Sequence, residues 1–245
     1  MRKSIKIIKD PDATSCGHSV KEFLCALNGP TWIDISGQDP TRTRLFVTLL
    51  HGNEPSGVKA LYNWLTNQER QKPLTNISFL VCSVEAALTE PDFSHRYLKD
   101  QPDMNRCFRR PFDSDNGLLA GEILNRINHL KPEAMIDVHN TSGSGPDFAI
   151  VPNHDDQFAK LAANFSHRLV ITDLTLGSLM ETDVGCPIAT LECGGSFDIS
   201  ADQTAMKAVD LLCYRDELYN GEKQQEINIY THPLRFEIKG GFSLS

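Results

Sequence analysis

Three apolar runs in this chain end alike, each in a histidine or glutamate followed by turn-forming residues, and this repetition limits the folds open to it. Leu45 to Leu50 leads into His51-Gly52-Asn53-Glu54 and then Pro55, a favoured first residue of a helix. Ala134 to Val138 leads into His139 and the turn-like Asn140-Thr141-Ser142-Gly143. Pro187 to Leu191 leads into Glu192, Cys193 and two glycines. Each run reads as a buried strand that delivers one polar side chain to a loop.

The chemistry of those side chains points to a cation. His51 and Glu54, three residues apart in a loop, can close on one small divalent ion, and imidazole and carboxylate both suit zinc. With eight histidines in the chain, a chance His-x-x-Glu is expected with odds of about one in two, so the motif needs support. His139 is the candidate third ligand. Asp137 lies two residues earlier on the same strand face and can orient its imidazole; a histidine bonded to nearby backbone is the bland alternative. Glu192 fits a general base, because a carboxylate ending a buried strand is costly unless paired or used; a glutamate that simply meets solvent is the alternative. In open α/β sheets ligands bind beyond the carboxyl ends of the strands, so these residues should converge on a three-ligand site with one open position.

A chain of 245 residues can bury a full core, and no repeat or low-complexity tract interrupts this one. Apolar strands alternate with amphipathic helix patterns, which argues for an α/β sheet covered by helices. Leu118, Leu119, Ile123, Leu124, Ile127 and Leu130 are expected on one helix face, and a second helix is expected from Ala201 to about Tyr219. The part up to Pro40, with a helix over Val20 to Leu27 and a strand over Trp32 to Ile35, reads as an edge of the same domain. Ile227 to Tyr230 and Leu234 to Ile238 read as two short strands. The stretch from Glu90 to Asn116, rich in Pro, Asp and Arg, is expected to form a mobile wall of the cleft.

Charge narrows the partners. The formal net charge is -8, yet Arg96, Lys99, Arg106, Arg109 and Arg110 cluster in that one stretch, which favours an anionic group over nucleic acid. Lys99, Arg109 and Arg110 read as a solvated loop paired with Asp103, Asp113 and Asp115. Seven cysteines, odd in number and without a CxxC pair, fit free thiols in a reducing cytoplasm. Arg2 and Lys3 are followed by no apolar signal core, and no run is long enough to span a bilayer, so a cytoplasmic protein without membrane contact is expected.

Four motifs then carry a resemblance. His51-Gly52-Asn53-Glu54-Pro55, Asp103-Met104-Asn105-Arg106, Asp137-Val138-His139-Asn140-Thr141 and Leu191-Glu192-Cys193-Gly194 occur in order over about residues 43 to 195. They resemble the succinylglutamate desuccinylase/aspartoacylase family, within the zinc carboxypeptidase-like hydrolases. The resemblance implies a three-layer α/β/α sandwich with a mixed central sheet, one catalytic domain over 1–245 and one zinc ion per chain. It implies His51, Glu54 and His139 as metal ligands, Glu192 as general base, Arg96 as the arginine that polarises the scissile carbonyl, and Asn105 and Arg106 as the grip on a substrate carboxylate. Two departures stand out. Where the family's N-deacylases carry a second substrate-binding arginine, this chain has Met180, Glu181, Thr182 and Asp183, an acidic stretch expected to repel a dicarboxylate. Little or none of the family's C-terminal β domain is expected after Glu192.

The reading is therefore a zinc-dependent hydrolase that cleaves an amide bond of an N-acyl amino acid or small peptide by metal-activated water. A catalytically silent metal or small-ligand binding protein, an esterase, and a thiol hydrolase using Cys193 or Cys16 are the alternatives. The expected partner is a small molecule bearing a carboxylate; a homo-oligomer is left open. His18, His95, His129, His154, His167 and His232 lack ligand spacing and read as surface or capping residues.

Overall fold

A computed structural model describes residues 4–219 and 227–233. In chain order the elements are β1 (Lys6–Lys9), α1 (Val20–Leu27), β2 (Thr31–Ile35), β3 (Asp39–Thr48), α2 (Ser56–Thr66), β4 (Thr75–Val81), α3 (Val84–Leu88), α4 (Asp115–Leu130), β5 (Ala134–Thr141), β6 (Phe148–Val151), α5 (Asp156–Ala162), β7 (Arg168–Ile171), β8 (Ile188–Gly195), α6 (Ile199–Tyr214) and β9 (Asn228–Thr231). Short 3-10 turns lie at Met104–Arg106 and Leu179–Glu181. Local chemistry sets several of these bounds. Ser19 accepts a hydrogen bond from the Glu22 amide to start α1, and Asn28 stops it in the left-handed conformation at φ 55°. Ser114 caps α4 in the same way by accepting from the Gly117 amide.

Nine strands form one sheet in the order β1-β2-β4-β3-β5-β8-β6-β7-β9. The central four, β4, β3, β5 and β8, are parallel, while β2 and β6 join them antiparallel, so the sheet is mixed as the resemblance implied. From β3 the chain passes through α2 to β4 on one side, and from β4 it passes through α4 to β5 on the other. The strand order thus reverses between β3 and β5, the place where α/β sheets bind ligands.

Strand alternation divides the core into two faces. On one, Phe46, Phe79, Ile136, Val138, Leu191 and Ala149 pack against α1, α2, α5 and α6. On the other, Trp32, Leu80, Leu45, Val47 and Met135 pack under Leu119, Ala120, Ile123 and Ile127 of α4. The second cover is shorter: it reaches Ile188 at the start of β8 and goes no further along that strand or onto β6. A cleft is left over the ends of β5, β8 and β6.

Three expectations need adjusting. Leu118 is half exposed rather than on the inner face of α4, because it sits about 100° round the helix from Leu119, which takes the buried position. The last long helix ends at Tyr214, since Arg215 is extended. The strand expected over Ile227 to Tyr230 is β9, whereas Leu234 to Ile238 lies outside the described residues.

Candidate metal centre

The first ligand loop is forced off the sheet at Leu49, a fully buried residue with φ of 59°, a conformation that strains a branched side chain. The turn directs His51 inward, and Gly52 lets the loop pass close to its neighbour: a Cβ there would meet the His95 carbonyl oxygen at 2.6 Å. His139 arrives on β5, directly beside β3. The outcome is a compact donor set. His51 Nδ1 and His139 Nδ1 are 3.2 Å apart, Glu54 Oε1 lies 3.0 Å from the first, and Glu54 Oε2 lies 2.6 Å from the second.

Each imidazole is held from behind. His51 Nε2 is 2.9 Å from Asp103 Oδ1, and His139 Nε2 is 2.9 Å from Asp137 Oδ2. A carboxylate on Nε2 fixes the ring so that Nδ1 faces the centre, the usual outer-shell device of histidine metal sites. Tetrahedral zinc with bonds of about 2.0–2.1 Å places its donors about 3.3 Å apart; the 3.2 and 3.0 Å separations come near this, and the 2.6 Å contact of Glu54 with His139 would open on binding. Among the described residues, His51, Glu54 and His139 are the group that could hold a metal, and all three are buried.

Charge follows from the packing. Burial alone would raise the Glu54 carboxyl, but the imidazoles of His139 and His51 reverse this and hold it well below the carboxylate range. Asp103 is likewise pushed up by burial and brought lower overall by His51 and Arg96. His139 is disfavoured as a cation by burial, yet Asp137 and Glu54 raise it well above the ordinary histidine value. The carboxylates around the two imidazoles thus favour positive charge between them, as a proton or as a cation.

Glu192 stands in register with this group. On β8 it pairs with His139 of β5 on one side and Phe148 of β6 on the other, so the three side chains form one row on one face. Thr190, Asp137 and Ile150 form the next row. Burial raises the Glu192 carboxyl above its ordinary value. Its Oε2 is buried without a hydrogen-bond partner, as is Oδ1 of Asp137. The costs of such burial mark a group kept for a task.

A cavity of about 340 Å³ joins these residues to the 90–116 stretch, which supplies Arg96, Asn105 and Arg106. Arg96 donates from Nη1 to Glu54 Oε1 at 3.0 Å and from Nε to Asp103 Oδ2 at 3.1 Å. Asn105 is buried, with its Nδ2 3.4 Å from His139 Nε2 and its Oδ1 accepting from the Leu179 amide. Arg106 is exposed and donates to the Asn105 carbonyl; among the described residues it has no carboxylate partner. All seven residues singled out from sequence thus line one cavity. A larger cavity, about 820 Å³, lies between α6, the segment after α2 and the turn after α5, and contains none of them.

Two site residues escaped the sequence reading. Asp103, taken for a counter-charge of a solvated loop, is the partner of His51 and Arg96. Asn140 donates its amide to Glu54 Oε2 at 3.4 Å and its Nδ2 to the Gly194 carbonyl and Ser56 Oγ, tying β5 to both neighbours. Their positions beside Asn105 and His139 were the available signal. Glu181, of the acidic stretch, is held in its own loop: its carboxylate accepts from the Leu176 and Gly177 amides and from Ser178 Oγ, and it does not line the cavity. Met180, its neighbour, is the residue that lines the cavity. The thiols stand apart, since Cys193 and Cys16 belong to the opposite core face and burial pushes both well up or up.

The order of strands and the donor group at the switch point define an α/β protein with a metal-type site. A sequence profile described as the succinylglutamate desuccinylase/aspartoacylase catalytic domain matches residues 40–213, and the chain belongs to that family of amide-bond hydrolases. Succinylglutamate desuccinylase from Chromobacterium violaceum has a similar structure, with TM-score 0.67 and 15% identity over 83% of this chain and 70% of that one. The enzyme of that name from Vibrio parahaemolyticus gives 0.66 and 15%, covering 81% and 65%. The product-bound ectoine utilization protein EutE (DoeB) from Ruegeria pomeroyi gives 0.62 and 18%, covering 82% and 65%. At such identities the likeness is one of fold, and the chain spans 65% to 70% of these three relatives' length. A sequence search of curated proteins returned no match. Among the described residues no helix is long and apolar enough to cross a membrane.

Proposed function

We propose that the chain is a zinc-dependent hydrolase that cleaves the amide bond of an N-acyl amino acid or short peptide, with His51, Glu54 and His139 holding the ion. The observation that carries this reading is a carboxylate at Glu192 with one buried, unpartnered oxygen, in the same cavity as three buried side chains that could hold a metal. When bound, zinc supplies Lewis-acid charge and makes water acidic near neutral pH.

The chain's own residues do the rest. Glu192, raised by burial, accepts the proton of the attacking water and passes it to the departing amine nitrogen as the C–N bond breaks. Arg96, at the cavity edge beside Glu54, faces charge that develops on the carbonyl oxygen. Arg106 offers a planar fork to a substrate carboxylate, with the Asn105 amide beside it. Asp103 and Asp137 keep both imidazoles in the productive orientation.

Protein purified without added metal should contain zinc and hydrolyse members of a panel of N-acetyl amino acids and dipeptides. Chelation should abolish turnover and added zinc restore it. Turnover resistant to chelator would refute the reading. Hydrolysis of esters alone would make the protein an esterase, and bound zinc without hydrolysis a silent binding protein.

A further inference from the structure

The cavity has two chemically different arms, and the second has no part in the mechanism above. One arm is cationic: Arg96 is already committed to Glu54 and Asp103, which leaves Arg106 as the cation there without a carboxylate partner among the described residues. The other arm is formed by Phe148 and Ile150 of β6 with Leu176 and Met180 of the loop that follows β7. All four are only partly buried. Phe148, Ile150 and Leu176 belong to neither packed core face; they are apolar side chains turned to the cavity. Apolar surface left facing a cleft beside a reactive carboxylate is what ligand pockets use for recognition.

The register makes this arm obligatory. In an antiparallel pair, residues directly opposite share a face with Cβ atoms about 4.5–5.5 Å apart. Phe148 is opposite Glu192 and Ile150 opposite Thr190, so any group held over Glu192 also meets β6. Glu181 fixes the remaining wall by accepting the Leu176 and Gly177 amides, which holds the carboxylate beside Met180 in its own loop, outside the cavity lining. A second carboxylate entering this arm would lose its water and find four apolar side chains and no cation, a costly transfer.

We propose, resting on the hydrolase reading above, that the substrate bears one carboxylate, held by Arg106, and one aliphatic or aromatic group, held by Phe148, Ile150, Leu176 and Met180. The substrates are amides of neutral apolar amino acids and not of acidic ones.

The test uses the zinc-loaded full chain carrying Glu192→Gln, which holds ligand without consuming it, and titrates N-acetyl-leucine, N-acetyl-phenylalanine and N-acetyl-aspartate by calorimetry. At least one apolar ligand should bind ~10-fold or more tightly than N-acetyl-aspartate, the discrimination a few methylenes give in an apolar pocket. Adding Ile150→Ala should cut that preference several-fold, with N-acetyl-aspartate unmoved, and adding Met180→Arg should favour N-acetyl-aspartate. Leu176→Ala replaces Ile150→Ala should the β6 variant not fold. Equal or tighter binding of N-acetyl-aspartate, or no binding by any of the three, overturns the proposal. Parallel turnover by the unsubstituted chain separates the two readings. N-acetyl-aspartate as best substrate would sink the apolar arm and leave the hydrolase; the apolar binding preference without turnover of any amide would do the reverse.

Discussion

Arg44 and Glu192 both place charge inside the central sheet, at opposite ends of its parallel strands, one fully buried and the other at a cavity wall, and their surroundings differ. Arg44 is fully buried near the amino ends, where its Nε donates to Glu133, its Nη1 to the carbonyls of Leu212 and Arg215, and its Nη2 to the Asp216 carbonyl. Those bonds tie the end of α6 to β3. Glu192, at the carboxyl end of β8, keeps an oxygen with no partner, and Asp137 beside it does the same. A buried charge whose every nitrogen is matched is architecture, whereas a carboxylate oxygen left unpartnered beside a cavity and a donor group is held ready for something that arrives.

That contrast can be broken by substitution. Glu192→Gln should lower kcat/KM on the best N-acyl amino acid by about 10²–10⁴-fold, the usual worth of a general base, while zinc content stays at the wild-type level. Stability should hold or rise, since a costly charge is gone. Arg44→Leu should do the opposite: a loss of about 3–5 kcal/mol in urea unfolding, because the buried Leu212 carbonyl and the Arg215 carbonyl lose their side-chain donor and Glu133 and the Asp216 carbonyl keep only Arg42, with turnover per folded chain unchanged. Reversal of the two outcomes would mean that the unmatched oxygen is not a functional mark.

Much of the site was legible because strands of a parallel sheet end at one edge. The His51–Glu54 loop, His139 and Glu192 lie far apart in sequence, yet each follows an apolar run, and the ends of β3, β5 and β8 are neighbours. The helix over Val20–Leu27 was legible too, since both of its stops are written in short polar residues, Ser19 and Asn28. What stayed hidden depended on pairing between distant strands. Nothing local says that β6 runs antiparallel to β8, so the placement of Phe148 and Ile150 beside the base could not be read. Nothing local explains the burial of Arg44, because the carbonyls that justify it come from residues 212–216. Asp103 looked solvated for the same reason: its partner His51 is supplied by another loop.

Smaller effects sharpen the comparison. Asp137→Ala should weaken zinc binding about 10–100-fold in competition with a chromophoric chelator, because His139 Nε2 loses the acceptor that fixes its ring. An unchanged affinity would reduce Asp137 to a packing residue. Glu181→Gln should cost about 1 kcal/mol in urea unfolding at neutral pH, since half-exposed charged hydrogen bonds are screened. Burial raises Glu181, but the Ser178 hydroxyl and the Leu176 and Gly177 amides outweigh it, so its folded-state pKa lies below the ordinary carboxylate value. Its contribution is therefore complete above the ordinary value and is lost as pH falls through the lowered one. The gap between wild type and Glu181→Gln should close over that acid range, and a gap constant with pH would deny the loop-pinning role.

The account rests on one donor set, and zinc content by elemental analysis tests it most directly. Wild type and Glu192→Gln should each hold one zinc per chain, while folded His51→Ala should hold none after the same purification. Zinc at full occupancy in His51→Ala, or none in wild type after zinc is supplied, would contradict the assignment of His51, Glu54 and His139.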